Sequence, residues 1–318
     1  MADLRRTNKN ITNIDELYET SEYGVYLKEI LSFFVPLTLQ IPQLRDNPEF
    51  MRESIKAVGI KGITDVATKV DLYVQNQLKK NVEELHPEWQ FWGEEGEDNT
   101  EKYDATKEFL FITDPIEGTN NFRYKKDELW GSVVALIKIK TEEPIIGIVA
   151  HPTKKRFYIG VRDNGVFILE YSDDLNLISF RKMLGKPKKE FTYNNSVHFS
   201  EKLQQQTKRF ISLGEVKPFP KSADKLDKTR YKVEIKDGKN IYTFLNLECG
   251  ALELTYRGII MFKTSNETAA LFVMFNELGG KITDGNGASW KLGINSLVAA
   301  RNKEDYKFLK KLYDKTLY

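Results

Sequence analysis

The chain has 318 residues, 41% of them hydrophobic and 30% charged, which is the balance of a globular protein long enough to bury a sizeable core, as one large domain or two lobes. A net charge of +2 excludes a strong general pull toward nucleic acid or a membrane surface. Cys249 is the only cysteine, so no intrachain disulfide forms; with no apolar signal segment in Met1-Ala2-Asp3-Leu4-Arg5-Arg6 and no stretch near the length of a membrane span, a cytoplasmic protein is expected.

Apolar residues recur at helical spacing from 14 to about 35, and Pro36 and Pro42 predict the end of that helix. Asn47-Pro48-Glu49-Phe50 predicts a second helix, running to about Val58 and stopped by Gly59. A third is predicted from Asp71 to about Leu85, with Leu72, Val74 and Leu78 on its apolar face. Residues 88–92 read as a short strand entering Gly93-Glu94-Glu95, and 108–113 as a second, buried strand. Residues 132–137 and 145–149 predict neighbouring strands, and two more turn tightly at Asn164-Gly165. The first half therefore reads as helices followed by a largely antiparallel sheet. From 172 to 240 the pattern weakens. Lysines cluster at 186–189 and 217–228, either as a solvated face or as a basic rim steering an anion. Strand 210–213 and helix 250–254 are expected next. A helix then opens at Ser265 and closes at Gly279-Gly280, followed by strands at 281–284 and 296–300 and a helix at about 303–316.

The buried strand ends in Asp114-Pro115-Ile116-Glu117-Gly118-Thr119-Asn120-Asn121. Asp114 and Glu117 are hard oxygen donors three positions apart. Pro115 fixes φ and has no N–H, so the chain turns there and can leave the Ile116 carbonyl as a further oxygen ligand. Gly118 accepts backbone angles that other residues resist. If a helix starts there, the N–H groups of Gly118, Thr119 and Asn120 face an anion. Oxygen ligands beside a phosphate cradle point to metal-assisted phosphate chemistry, although an ordinary turn draws on the same residue types. Glu94 and Glu95 follow the previous strand, Asp71 begins a helix, and Glu267 sits in the first turn of another. Each of these also has a plain role as a loop acid or a cap.

Taken in order, the motifs resemble the inositol monophosphatase superfamily, metal-dependent and typically lithium-sensitive phosphatases. The family's Gly-Glu-Glu, Asp-Pro-Ile-Asp-Gly-Thr and Trp-Asp-x-Ala-Ala elements stand here as Gly93-Glu94-Glu95, Asp114-Pro115-Ile116-Glu117-Gly118-Thr119 and Asn266-Glu267-Thr268-Ala269-Ala270. Its helix end is Glu277-Leu278-Gly279-Gly280, and Gly147-Ile148-Val149-Ala150-His151-Pro152 and Leu297-Val298-Ala299-Ala300 match further elements. The resemblance runs from about residue 60 to the C-terminus, poorly over 172–245.

It implies an α/β (α+β) fold, a layered α/β/α/β/α sandwich. An N-terminal lobe, 1–170, would carry most metal ligands; a C-terminal lobe, 171–318, would supply Glu267 and part of the substrate pocket. It implies two or three Mg²⁺ ions and inhibition by Li⁺. The first ion falls to Glu94, Asp114 and the Ile116 carbonyl, the second to Asp114, Glu117 and Glu267. Asp71 and Thr119 correspond to the pair that activates water, and Gly118, Thr119 and Asn120 to the phosphate cradle. The implied activity is hydrolysis of a small phosphate monoester, with a 3′(2′),5′-bisphosphate nucleotidase or a sugar bisphosphatase as alternatives. A homodimer is common in the family; no nucleic-acid or membrane partner is expected. Two family aspartates are glutamates here, Glu117 and Glu267, each arm longer by about 1.5 Å. That leaves open a non-catalytic, ligand-binding member with an impaired second metal site, and the lysine clusters suggest a polyanion-binding module as a third reading.

Overall fold

The structure, a computed structural model, describes residues 11–58, 64–96, 102–124, 130–183, 191–194, 215–218, 231–235, 239–244, 258–261 and 264–314. Helices α1 (Ile14–Thr20), α2 (Gly24–Leu44) and α3 (Lys69–Leu85) cover one face of a seven-stranded sheet. Its order is β3 (Gln90–Gly93), β4 (Phe109–Glu117), β5 (Gly131–Lys138), β6 (Glu143–His151), β7 (Arg156–Val161), β8 (Gly165–Tyr171) and β9 (Leu177–Lys182). Only β3 and β4 run parallel; the rest are antiparallel neighbours. A short hairpin, β1 (Glu53–Val58) with β2 (Thr64–Thr68), precedes α3, and α4 (Thr119–Arg123) follows β4.

The other face of this sheet is covered by α5 (Ser265–Glu277), which separates it from a second, mixed sheet. That sheet runs β11 (Glu215–Pro218), β12 (Tyr231–Ile235), β13 (Lys239–Phe244), β10 (Phe191–Asn194), β14 (Gly258–Met261), β16 (Leu297–Ala300), β15 (Lys281–Asp284). Helix α6 (Lys303–Asp314) closes its far side, with Leu309 against Gly258. The layers are therefore helix, sheet, helix, sheet, helix, as the resemblance implies. Expected strand 210–213, helix 250–254 and the lysines at 186–189 lie outside the described residues.

Both faces of β4 are buried, which is why its sequence is a continuous apolar run. Phe109 and Phe111 face the α1–α3 layer, while Leu110 and Ile112 face α5. Helix α5 approaches the sheet closely: a Cβ on Gly147 of β6 would stand 2.5 Å from the Ala270 Cα. Only glycine admits a helix backbone at that distance, and the contact fixes where the N-terminus of α5 meets β4.

Four expectations about the helices need correction. The first helix does not end at Pro36: it breaks at residues 21–23, and α2 then runs through Pro36 and Pro42 to Leu44. Each proline costs about 3 kcal/mol in a helix interior. Burial of Leu27, Ile30, Leu31, Phe34, Val35 and Ile41, at roughly 1.5–3 kcal/mol each, outweighs that. The same continuity makes α2, at 21 residues, long and apolar enough to cross a membrane by length and composition, contrary to expectation; 56% of its most apolar stretch is buried in the fold. Asn47-Pro48 starts no helix. The Asn47 side chain accepts the Glu49 N–H at 3.0 Å and closes a turn, and residues 53–58 form β1. Leu72 is not on the buried face of α3; it is 39% exposed, and Val70, Val74, Leu78 and Val82 are buried instead.

Candidate active site

The site is assembled at the C-terminal ends of β3 and β4. Thr113 pairs with Val134 and Asp114 with Val133, but Glu117 pairs with Gly131. Three steps on β4 thus oppose two on β5, a β-bulge with one extra residue. In a regular strand, residues three apart point to opposite faces. The bulge reverses that parity: Ile116 joins the same core as Phe109 and Phe111, so Glu117 turns to the α5 side with Asp114. The chain does not turn at Pro115 as expected: β4 continues to Glu117, and Pro115 suits the bulge because it has no N–H to leave unpaired. The Pro115 carbonyl, freed from the ladder, accepts the buried Ser132 hydroxyl.

Strand β3 brings the next acid. Gly93 is opposite Thr113 in the parallel pairing, so one more residue sets Glu94 beside Asp114. Helix α5 brings another. Asn266 Nδ2 donates to the Thr113 carbonyl at 3.2 Å, tying the first turn of α5 to β4 immediately before Asp114. Glu267 is the N3 residue of a capping box: its Oε2 accepts the Thr264 N–H at 2.9 Å and the Thr264 hydroxyl at 3.1 Å. Asp114, Glu117 and Glu267 are all buried, and one oxygen from each lies within 4.8 Å of the other two.

Such crowding is electrostatically costly. Two like charges 4 Å apart repel by roughly 4 kcal/mol at an effective dielectric of 20. Burial, and then Glu94, Glu117 and Glu267, push the Asp114 carboxyl well above its ordinary 3.8. Among the described residues, none offers a hydrogen bond to the buried Asp114 Oδ1. Oxygen donors alone, an orphaned carboxylate oxygen, and three ligand atoms gathered within 4.8 Å of one another fit a hard divalent cation. The added methylene of Glu117 and Glu267 has not carried them out of the cluster.

A further acid stands apart from this group. Asp71 is the N3 residue of the capping box of α3, its Oδ2 accepting the Thr68 N–H at 2.7 Å and the Thr68 hydroxyl at 2.6 Å. Its Oδ1 is 3.1 Å from Thr119 Oγ1, which is also 3.0 Å from the Ile116 carbonyl. Gly118 has φ +89° and precedes α4. The Asn120 side chain lies outside the described residues. Sequence reasoning missed Thr68, Thr264 and Ser132. The Thr-x-x-Asp and Thr-x-x-Glu spacings at 68–71 and 264–267 could have marked the first two. Nothing local marks Ser132.

The family model described as inositol monophosphatase family matches residues 43–317. The chain is similar to inositol monophosphatase 3 of Solanum lycopersicum, 24% identical over 83% of this chain and 91% of that one. It is 30% identical to inositol monophosphatase 1 of Rattus norvegicus over a shorter stretch, 39% of this chain and 45% of that one. Among solved structures, an IMPase/NADP phosphatase complexed with NADP and Ca²⁺ superposes with a TM-score of 0.63 at 19% identity, over 95% of this chain and 96% of that one. A Staphylococcal IMPase-I complexed with products gives 0.61 at 20% identity, over 91% and 94%. With the family match spanning most of its length, the chain belongs to the inositol monophosphatase family and is a phosphoric monoester hydrolase.

Proposed function

We propose that this protein hydrolyses a small phosphate monoester in a Mg²⁺-dependent reaction. The observation that carries the reading is the convergence of Asp114, Glu117 and Glu267 within 4.8 Å, with Glu94 beside them and the Asp71–Thr119 pair at the same strand end. Glu94, Asp114 and the Ile116 carbonyl would hold one cation, and Asp114, Glu117 and Glu267 a second; a third would lean on Glu94. Bound there, divalent cations supply Lewis acidity that acidifies water, neutralises phosphate oxygens and stabilises the leaving alkoxide.

The chain's own residues do the rest. Thr119 donates its hydroxyl proton to Asp71 Oδ1 and so presents a lone pair to the attacking water. As the water gives a proton to Thr119 Oγ1, the Thr119 hydroxyl proton passes to the Asp71 carboxylate, which its cap holds in place. The N–H groups of Gly118, Thr119 and Asn120, at the start of a helix where no intrahelical acceptor exists, cradle the phosphate. The two-lobe division at 170/171, inhibition by Li⁺ and a homodimer belong to the same proposal.

Phosphate release from a panel of monoesters, with and without Mg²⁺, tests it. The panel should hold an inositol monophosphate, a 3′-phosphorylated nucleotide, a sugar bisphosphate and NADP, the last because a structural neighbour is described with it. Release that depends on Mg²⁺ and is abolished by Asp114→Ala is expected; release unchanged in excess chelator overturns the reading.

A further inference from the structure

Gln75 is a buried polar residue one turn after Asp71 on α3. Its Oε1 accepts the Glu95 N–H at 2.8 Å, and its Nε2 donates to the Glu95 carbonyl at 2.9 Å. One side-chain amide thus satisfies both backbone groups of one residue, as a neighbouring strand would. The location explains the need. Among the described residues β3 stands at the edge of its sheet, and its ladder with β4 ends at Gly93, two residues before Glu95. The amide reaches this position by lying on Gly93: a Cβ there would stand 2.2 Å from Gln75 Cδ and 2.3 Å from Oε1. Glycine at 93 leaves the space the amide fills.

Glu94 lies between Gly93, held in the ladder, and Glu95, held by Gln75. With the backbone fixed on both sides, its carboxylate is aimed at Asp114, and it contributes to the rise of that group's pKa. We propose that Gln75 is a positioning residue for Glu94. One face of α3 would then set both halves of the site, Asp71 directly and Glu94 through the Glu95 backbone. The inference rests on the reading of Glu94 as a cation ligand.

The test is calorimetric titration of Mg²⁺ into the metal-free full chain, alongside thermal unfolding of the same metal-free samples. Gln75→Met keeps the side chain's length and apolar stem and removes both hydrogen bonds. Gly93→Ala leaves Gln75 unchanged and displaces its amide. Both variants are expected to bind Mg²⁺ about tenfold more weakly than the natural chain, the scale seen when groups supporting metal ligands are lost. A lower unfolding temperature with an unchanged Mg²⁺ affinity in either variant makes Gln75 merely structural and overturns the inference. A natural chain that takes up no Mg²⁺ overturns the cation reading itself, and this inference with it.

Discussion

Thr119 Oγ1 lies 3.1 Å from Asp71 Oδ1 and 3.0 Å from the Ile116 carbonyl oxygen, so one hydroxyl proton has two acceptors within reach. An ionised carboxylate accepts more strongly than a carbonyl, which turns the proton to Asp71 and leaves an oxygen lone pair outward. Thr119→Ala should therefore lower kcat by about 10²–10⁴, the usual worth of positioned proton transfer, while Thr119→Ser keeps most of it. Initial rates at saturating Mg²⁺ read this.

Asp71→Asn should show two losses together. Asp71 Oδ2 accepts from the Thr68 N–H, and an amide that keeps its oxygen toward Thr119 puts an NH₂ against that donor. A fall in kcat is expected alongside loss of the cap, about 1 kcal/mol, seen as a lower Tm in the metal-free protein.

Glu267 also gives one oxygen, Oε2, to a cap, that of α5. Asp71 performs the same N3 cap with a shorter arm, so Glu267→Asp should keep α5 capped and the Tm nearly unchanged. The shorter carboxylate, however, reaches about 1.5 Å less far toward Asp114 and Glu117. Mg²⁺ affinity measured by calorimetry should fall, even though the family's own residue at this place is an aspartate, because this backbone is set for the longer arm.

Ser132 supports the bulge that brings Asp114 and Glu117 to one side. Ser132→Ala leaves the Pro115 carbonyl without its donor, at a cost of about 1–3 kcal/mol for a buried group. Chemical denaturation should show that loss, with weaker Mg²⁺ binding beside it.

The pH dependence follows from Asp114. Its folded pKa is raised above the ordinary 3.8 by burial first and neighbouring acids second, so the native state holds its proton more tightly than the unfolded chain. Its contribution to stability is full below about pH 4 and is lost as pH rises through the raised value. In chelator, Tm should drop toward neutral pH, and Asp114→Asn should remove much of that drop. Added Mg²⁺ should raise Tm most at the higher pH, where protons no longer compete.

Much of this was legible in the sequence, for reasons that can be named. The run Phe109 to Ile112 announces a strand buried on both faces, and the acids that follow sit where a strand delivers ligands. What stayed hidden depends on partners far along the chain. The bulge between Asp114 and Glu117 exists only relative to β5, and Gln75 reads as an ordinary helix glutamine until Glu95 is placed beside it. The prolines of α2 misled because local preference was overruled by burial, and Leu72 because apolar identity does not say which side of α3 is covered.

The central claim is that these acids form a cage for divalent cations. Anomalous scattering from a crystal soaked in Mn²⁺ tests it most directly. One ion should lie among Asp114, Glu117 and Glu267, and another beside Glu94, Asp114 and the Ile116 carbonyl. No anomalous peak within ligand distance of Asp114 at saturating Mn²⁺ would contradict the account.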